Sequence, residues 1–139
     1  MVSWGNPEGQ VTNSDLELAA SVIDHTCMAN CFDIHEKNPL SLTENTASLW
    51  RQRKGSATST SPPSHLIRLQ AIHQRFHHYL RHQTFVWGVD NYILDRPSQS
   101  RKQTDVALIA HMEYLNIQEL PWRIWTPPSE LVSVIASVL

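Results

Sequence analysis

Apolar side chains recur along this chain in short blocks separated by polar or Pro- and Gly-containing stretches, and the spacing inside each block predicts an element. Leu16, Ala19, Ala20, Ile23, Cys27 and Cys31 recur mainly at three- and four-residue steps, which lines them along one stripe of a helix. Ser14, with Glu17 three residues on, has the arrangement of a capping box at its start, and the helix fades near residues 30–32. Asn38 and Pro39 break the pattern. Leu40-Ser41-Leu42-Thr43 then alternates with the period of a strand and leads through Glu44-Asn45 into a brief helix bearing Ala47, Leu49 and Trp50, which Gly55 stops. Between residues 56 and 61 every position except Ala57 is Ser or Thr, the composition of a flexible connection.

Pro62-Pro63-Ser64 opens a longer helix, expected to bury Leu66, Leu69, Ile72, Phe76 and Tyr79 or Leu80 and to carry Arg68, His73, Arg75, His77, His78, Arg81 and His82 on its other side. Phe85-Val86-Trp87 reads as a second short strand, turned at Gly88 into a segment that bears Asp95, where Pro97 limits any helix. Residues 1–11 offer only Val2 and Trp4 before the Asn6-Pro7-Glu8-Gly9 turn, a strand stub at most. The polar run 99–103 marks a boundary. Helices are expected at 104–115, around Val106, Leu108, Ile109 and Met112, and at 130–139 after Thr126-Pro127-Pro128-Ser129. The last of these is apolar nearly to its end and needs a partner surface.

Composition fits this alternation of short elements. With 139 residues, 41% of them hydrophobic and 17% charged, the chain has the make-up of one globular domain. No apolar run reaches the ~20 residues of a membrane helix, and the polar opening has no signal-peptide core, so an intracellular protein without membrane contact is expected. Cys27 and Cys31 are then reduced thiols. Adding His35 extends their four-residue step to a third metal-ligand type, but zinc takes four ligands in a closed site and no second cluster is evident. The pairs His73/His77 and His78/His82 have ligand-compatible spacing, yet lack the Glu of an H-E-x-x-H motif, and partial positive charge is the better account of them.

The net charge of -2 conceals a partition. Residues 1–50 carry seven acids against Lys37, residues 51–102 carry nine bases against Asp90 and Asp95, and the remainder carries four acids against Arg123. A middle segment of formal charge +7 is suited to a polyanion, with Arg51, Arg53, Lys54, Arg68, Arg75 and Arg81 as candidate nucleic-acid-binding residues; a solvated basic helix face is the alternative.

Three carboxylates, Glu17, Glu44 and Asp95, stand at the ends of separate predicted elements. Carboxylates gathered in that way are the usual material of a magnesium site, where two cations activate water and stabilise a leaving oxygen. Each has a simpler account: Glu17 closes the box with Ser14, Glu44 favours the start of the helix it precedes, and Asp95 pairs with Arg96 or Arg101.

The succession Asn13-Ser14-Asp15-Leu16-Glu17-Leu18-Ala19, Thr43-Glu44-Asn45-Thr46-Ala47 and Gly88-Val89-Asp90-Asn91-Tyr92-Ile93-Leu94-Asp95-Arg96-Pro97-Ser98 resembles the RNase H-like domain that follows reverse transcriptase in retroelement (retrotransposon) polyproteins. The resemblance covers residues 4–98. It implies an α/β fold, here an incomplete RNase H-like one, predominantly helical with two or three short strands. Residues 1–100 would be a partial, N-terminally truncated domain, and 101–139 a linker and C-terminal helical tail leading toward a missing downstream domain. It implies a hydrolase ancestry: magnesium held by Glu17, Glu44 and Asp95 as metal ligands and catalytic residues, cleavage of RNA in RNA-DNA hybrids, and an upstream reverse transcriptase segment as neighbour in the parent polyprotein. Two departures predict weak or absent activity. Position 44 is Glu where the family pattern has Asp, and the family's first-strand Asp has no counterpart here. The competing expectation is a non-catalytic nucleic-acid-binding or helical interaction fragment.

Overall fold

A computed structural model of the protein describes residues 11–54, 62–91, 104–115 and 121–139. Within them the fold is mixed α/β and mostly helical, with five α-helices and one parallel pair of strands. In chain order these are α1 (Asn13–Cys31), β1 (Leu40–Thr43), α2 (Thr46–Lys54), α3 (Pro62–His77), β2 (His82–Phe85), a 3-10 turn (Gly88–Asp90), α4 (Asp105–Leu115) and α5 (Ser129–Val138). None of the helices among the described residues is long and apolar enough to cross a membrane. The contacts divide the chain into two units, Met1–Phe85 with Pro127–Leu139, and Val86–Thr126.

α1 is capped two residues earlier than the Ser14/Glu17 spacing suggests. The Thr12 hydroxyl accepts from the Asp15 amide at 3.3 Å, and the Asp15 carboxylate accepts from the Thr12 amide at 2.8 Å. Both boxes exist in the sequence, and tertiary contacts choose between them. Asp15 is buried and also receives Arg51 of α2 at 3.0 Å, while Ser14 donates to Asn45 at 3.3 Å ahead of α2. The buried face of α1 therefore runs through Asp15, Leu18, Ala19, Val22 and His25, about one residue's rotation from the stripe that apolar spacing picks out. Two polar residues lie on that face, which is why hydrophobicity alone misplaces its centre.

The same displacement occurs on α3. Leu66, Ile67 and Gln70 are buried, whereas Ile72 is 60% and Phe76 77% exposed. Leu18, Ala19 and Val22 pack against Leu66 and Ile67, and Ile135 of α5 completes the cluster, with Ile23, Leu69, Leu131, Val138 and Leu139 partly buried around it. The apolar C-terminal helix thus finds its partner surface in the first unit of its own chain, rather than standing as a separate tail.

β1 forms where alternation places it, but Leu40 and Leu42 face outward and Ser41 inward, donating to Asp24 of α1 at 3.2 Å. β2 lies three residues before the expected strand. His82, Gln83, Thr84 and Phe85 pair in parallel with Leu40, Ser41, Leu42 and Thr43. A polar segment takes this role because strand pairing is made by backbone groups, and the α2–α3 crossover delivers residues 82–85, not 85–87, alongside β1. The loops entering the two strands are clasped to each other: the Glu36 amide donates to the His78 carbonyl at 2.6 Å and the Leu80 amide to the Lys37 carbonyl at 3.0 Å. Glu36 and His78 both have positive φ, 56° and 52°, the left-handed turn that lets each loop reverse into its strand.

The second unit contains the 3-10 turn and α4. α4 forms over the expected residues; Val106 and Tyr114 on it are exposed, and Leu108, Ile109 and Met112 are half-buried.

Candidate functional site

α1, α2 and β2 are joined by a network of polar side chains. Gln52 of α2 is 4% exposed and forms the hub. Its side-chain Oε1 accepts from the Ser21 hydroxyl at 2.9 Å, from the Gln83 side-chain amide and from Arg81 Nη1 at 3.4 Å, while its Nε2 donates to Ser48 at 3.0 Å. Gln83 Nε2 also donates to Ser21 at 3.2 Å. A second set lies between α1 and α3: the His25 ring stacks on Tyr79 with centroids 5.7 Å apart, and the Tyr79 hydroxyl meets Gln70 Nε2 and His73 Nδ1, each at 2.8 Å.

Burial sets the protonation of this second group. It lowers the pKa of His25, against the opposing hydrogen bond from its Nδ1 to the Ser21 carbonyl, and with neighbouring His77 and His25 it takes His73 down to about 4. Tyr79 is pushed up to about 12 by the same loss of solvent. Tyr79 therefore keeps its proton, and the cluster is uncharged at neutral pH.

Two open grooves flank these networks. The larger, about 720 Å³, is lined by Glu36, Lys37 and Asn38 from the loop after α1 and by Ala71, Gln74, Arg75, His78, Tyr79 and Leu80. The smaller, about 420 Å³, is lined by Gln52, Arg53, Gln74, Arg81, His82 and Gln83. Gln74 lines both, so the grooves adjoin. Lys37, Arg53, Arg75 and Arg81 give this surface its positive charge, against Glu36 as the single carboxylate among the lining residues. The polar seam holds two of the cations in place. Arg81 Nη2 donates to the Gln52 carbonyl at 2.8 Å, and Arg53 Nη2 to the Gln83 carbonyl at 3.1 Å. A guanidinium has five N–H donors, so each retains donors for a ligand.

The six expected nucleic-acid-binding residues divide accordingly. Arg53, Arg75 and Arg81 line the grooves; Arg51 is committed to Asp15; Lys54 and Arg68 are exposed and line neither. Lys37, hidden in the sequence among seven acids, joins them because the loop after α1 folds against the end of α3. No local pattern marks it.

The three expected metal ligands are distributed differently. Glu17 is exposed on α1, Glu44 is exposed one residue after β1, and Asp95 lies outside the described residues. The Ser14–Asn45 hydrogen bond brings the segments bearing Glu17 and Glu44 together. Among the described residues there is no group of three His, Cys, Asp or Glu side chains placed to hold a metal ion.

Comparison with protein-family models, with curated proteins and with solved structures finds no match to this chain.

Proposed function

We propose that the first unit binds the phosphate backbone of nucleic acid through the two adjoining grooves. The observation that carries this reading is the convergence of Lys37, Arg53, Arg75 and Arg81 from four separate parts of the chain on surfaces that share Gln74. Two of these side chains are braced by backbone carbonyls, which reduces the rotamer entropy lost when a phosphate is engaged. Neutralising four phosphates gives a log-log salt slope of about -3 for single strands and somewhat steeper for duplexes. Fluorescence anisotropy of labelled single-stranded, duplex and RNA-DNA hybrid oligonucleotides across a salt series measures it. Arg75→Ala and Lys37→Ala are each expected to weaken binding to all sequences alike and to reduce the slope by about one. Arg68→Ala, outside both grooves, leaves binding unchanged. Equal losses from Arg68→Ala and Arg75→Ala would remove the grooves from the account.

A second reading has a specific observation behind it. The element order implied by RNase H-like ancestry is a helix bearing Glu17, a strand leading to Glu44, then a strand ahead of Gly88; the observed order and the adjacency of the first two segments support that descent. In it, Glu17, Glu44 and Asp95 hold magnesium, which supplies activation of water against the hybrid's RNA strand. The Glu at position 44 sets its carboxylate about 1.5 Å further out than Asp would, and weak or absent hydrolysis is expected. Incubation with a labelled hybrid and magnesium tests this: robust cleavage abolished by Asp95→Asn establishes an active hydrolase.

A further inference from the structure

The sulfurs of Cys27 and Cys31 lie 3.9 Å apart on successive turns of α1, and neither residue lines either groove. Cys27 is half-buried and Cys31 exposed, so the pair opens to solvent on one side. Two sulfurs each ~2.3 Å from one ion and separated by this distance subtend about 116° at it, between tetrahedral and trigonal geometry. No movement of the helix is required to reach that bite. A disulfide would instead need the sulfurs to close to ~2.05 Å. Asp24, one turn before Cys27, adds negative charge that acts on the Cys27 thiol.

His35 does not complete a three-residue set. α1 ends at Cys31, and Phe32 is extended with φ -136° and ψ 155°, which breaks the four-residue step. The His35 ring lies edge-on to His78 instead, with centroids 5.3 Å apart. The described part of the chain offers no group of three metal-ligating side chains, so the pair supplies two ligands and leaves the remaining positions to solvent.

We infer that Cys27 and Cys31 form a two-thiolate clamp for a thiophilic divalent cation of the zinc and cadmium class. On binding, two S–H bonds break, two protons pass to solvent and two sulfur–metal bonds form, with no change of oxidation state. Because two protons are released for each cation bound, uptake strengthens as pH rises.

The test is titration of the full chain, kept reduced with a phosphine, with cadmium ion alone, following the ultraviolet sulfur-to-metal charge-transfer band and the protons released. Saturation is expected at one cation per chain. Cys31→Ser, at an exposed position, should weaken binding by about tenfold or more through loss of the chelate, as should Cys27→Ser, while His35→Ala has no effect. An undiminished band in Cys31→Ser would overturn the clamp. So would absence of a band in the unmodified chain, or saturation at one cation per two chains with dimer formation, which describes a shared four-thiolate site instead.

Discussion

Replacing Gln52 by Met tests whether the polar seam holds the first unit together. Met keeps the length and nearly the volume of Gln, so packing is preserved while every hydrogen bond from the side chain is removed. Four such bonds are lost, to Ser21, Ser48, Arg81 and Gln83. Two partners keep substitutes: Arg81 still donates to the backbone carbonyl at position 52, and Gln83 still donates to Ser21. Ser48, which is 1% exposed, loses its side-chain partner altogether. Each neutral hydrogen bond contributes ~1 kcal/mol, and a buried group left unpaired costs a further 1–3 kcal/mol or so. Against this, the apolar thioether gains ~1 kcal/mol from burial. With two of the four bonds replaced, the net loss is ~2–4 kcal/mol, a midpoint shift of roughly 10–30 °C for a unit of this size. Thermal and urea unfolding followed by circular dichroism measure it, and a double-mutant cycle with Gln83→Met isolates the coupling, expected at ~1 kcal/mol. A Gln52→Met midpoint equal to that of the parent, with zero coupling to Gln83, would refute the claim that these bonds support the fold.

Ile135→Ala is expected to lower the stability of the first unit by ~2–4 kcal/mol in the same unfolding assay, because α5 contributes this side chain to the α1–α3 core; a change below ~0.5 kcal/mol would separate α5 from that core. The depressed histidines make stability depend on acid. In the unfolded chain His25 and His73 bind protons near their ordinary 6.5, whereas folded His73 does so only at about 4 and folded His25 below 6.5. The unfolded state holds more protons in between, so stability is full above pH 6.5 and falls as pH drops toward about 4. Urea midpoints across that range measure it, and His73→Gln should flatten the dependence. Glu36→Gly should stabilise the protein by up to ~1 kcal/mol, since glycine meets its positive φ without the side-chain clash; a clear loss would show that the Glu36 side chain matters more than its backbone strain.

Local sequence was sufficient for the positions of most elements. The apolar spacing of α1, the alternation that makes β1, the prolines opening α3 and preceding α5, and the block around Leu108 each mark a helix or strand within a few residues of where it forms. These are backbone preferences and periodicities carried by neighbouring residues. Direction and partnership were not legible in the same way. Asp15 and His25 occupy the inner face of α1, Leu40 and Leu42 the outer face of β1, and Phe76 the outer face of α3, because burial is assigned by what packs opposite and by whether a polar group finds its bond there. The strand partner of β1 proved to be His82–Phe85, fixed by how far the α2–α3 crossover reaches. The candidate groove shows the division most plainly. Composition announces a basic middle segment, but only the fold removes Arg51 into an ion pair, leaves Arg68 outside, and brings Lys37 from the acidic opening to stand with Arg53, Arg75 and Arg81. Charge is written residue by residue; a binding surface depends on distances between residues far apart in the chain, and those are set by tertiary packing.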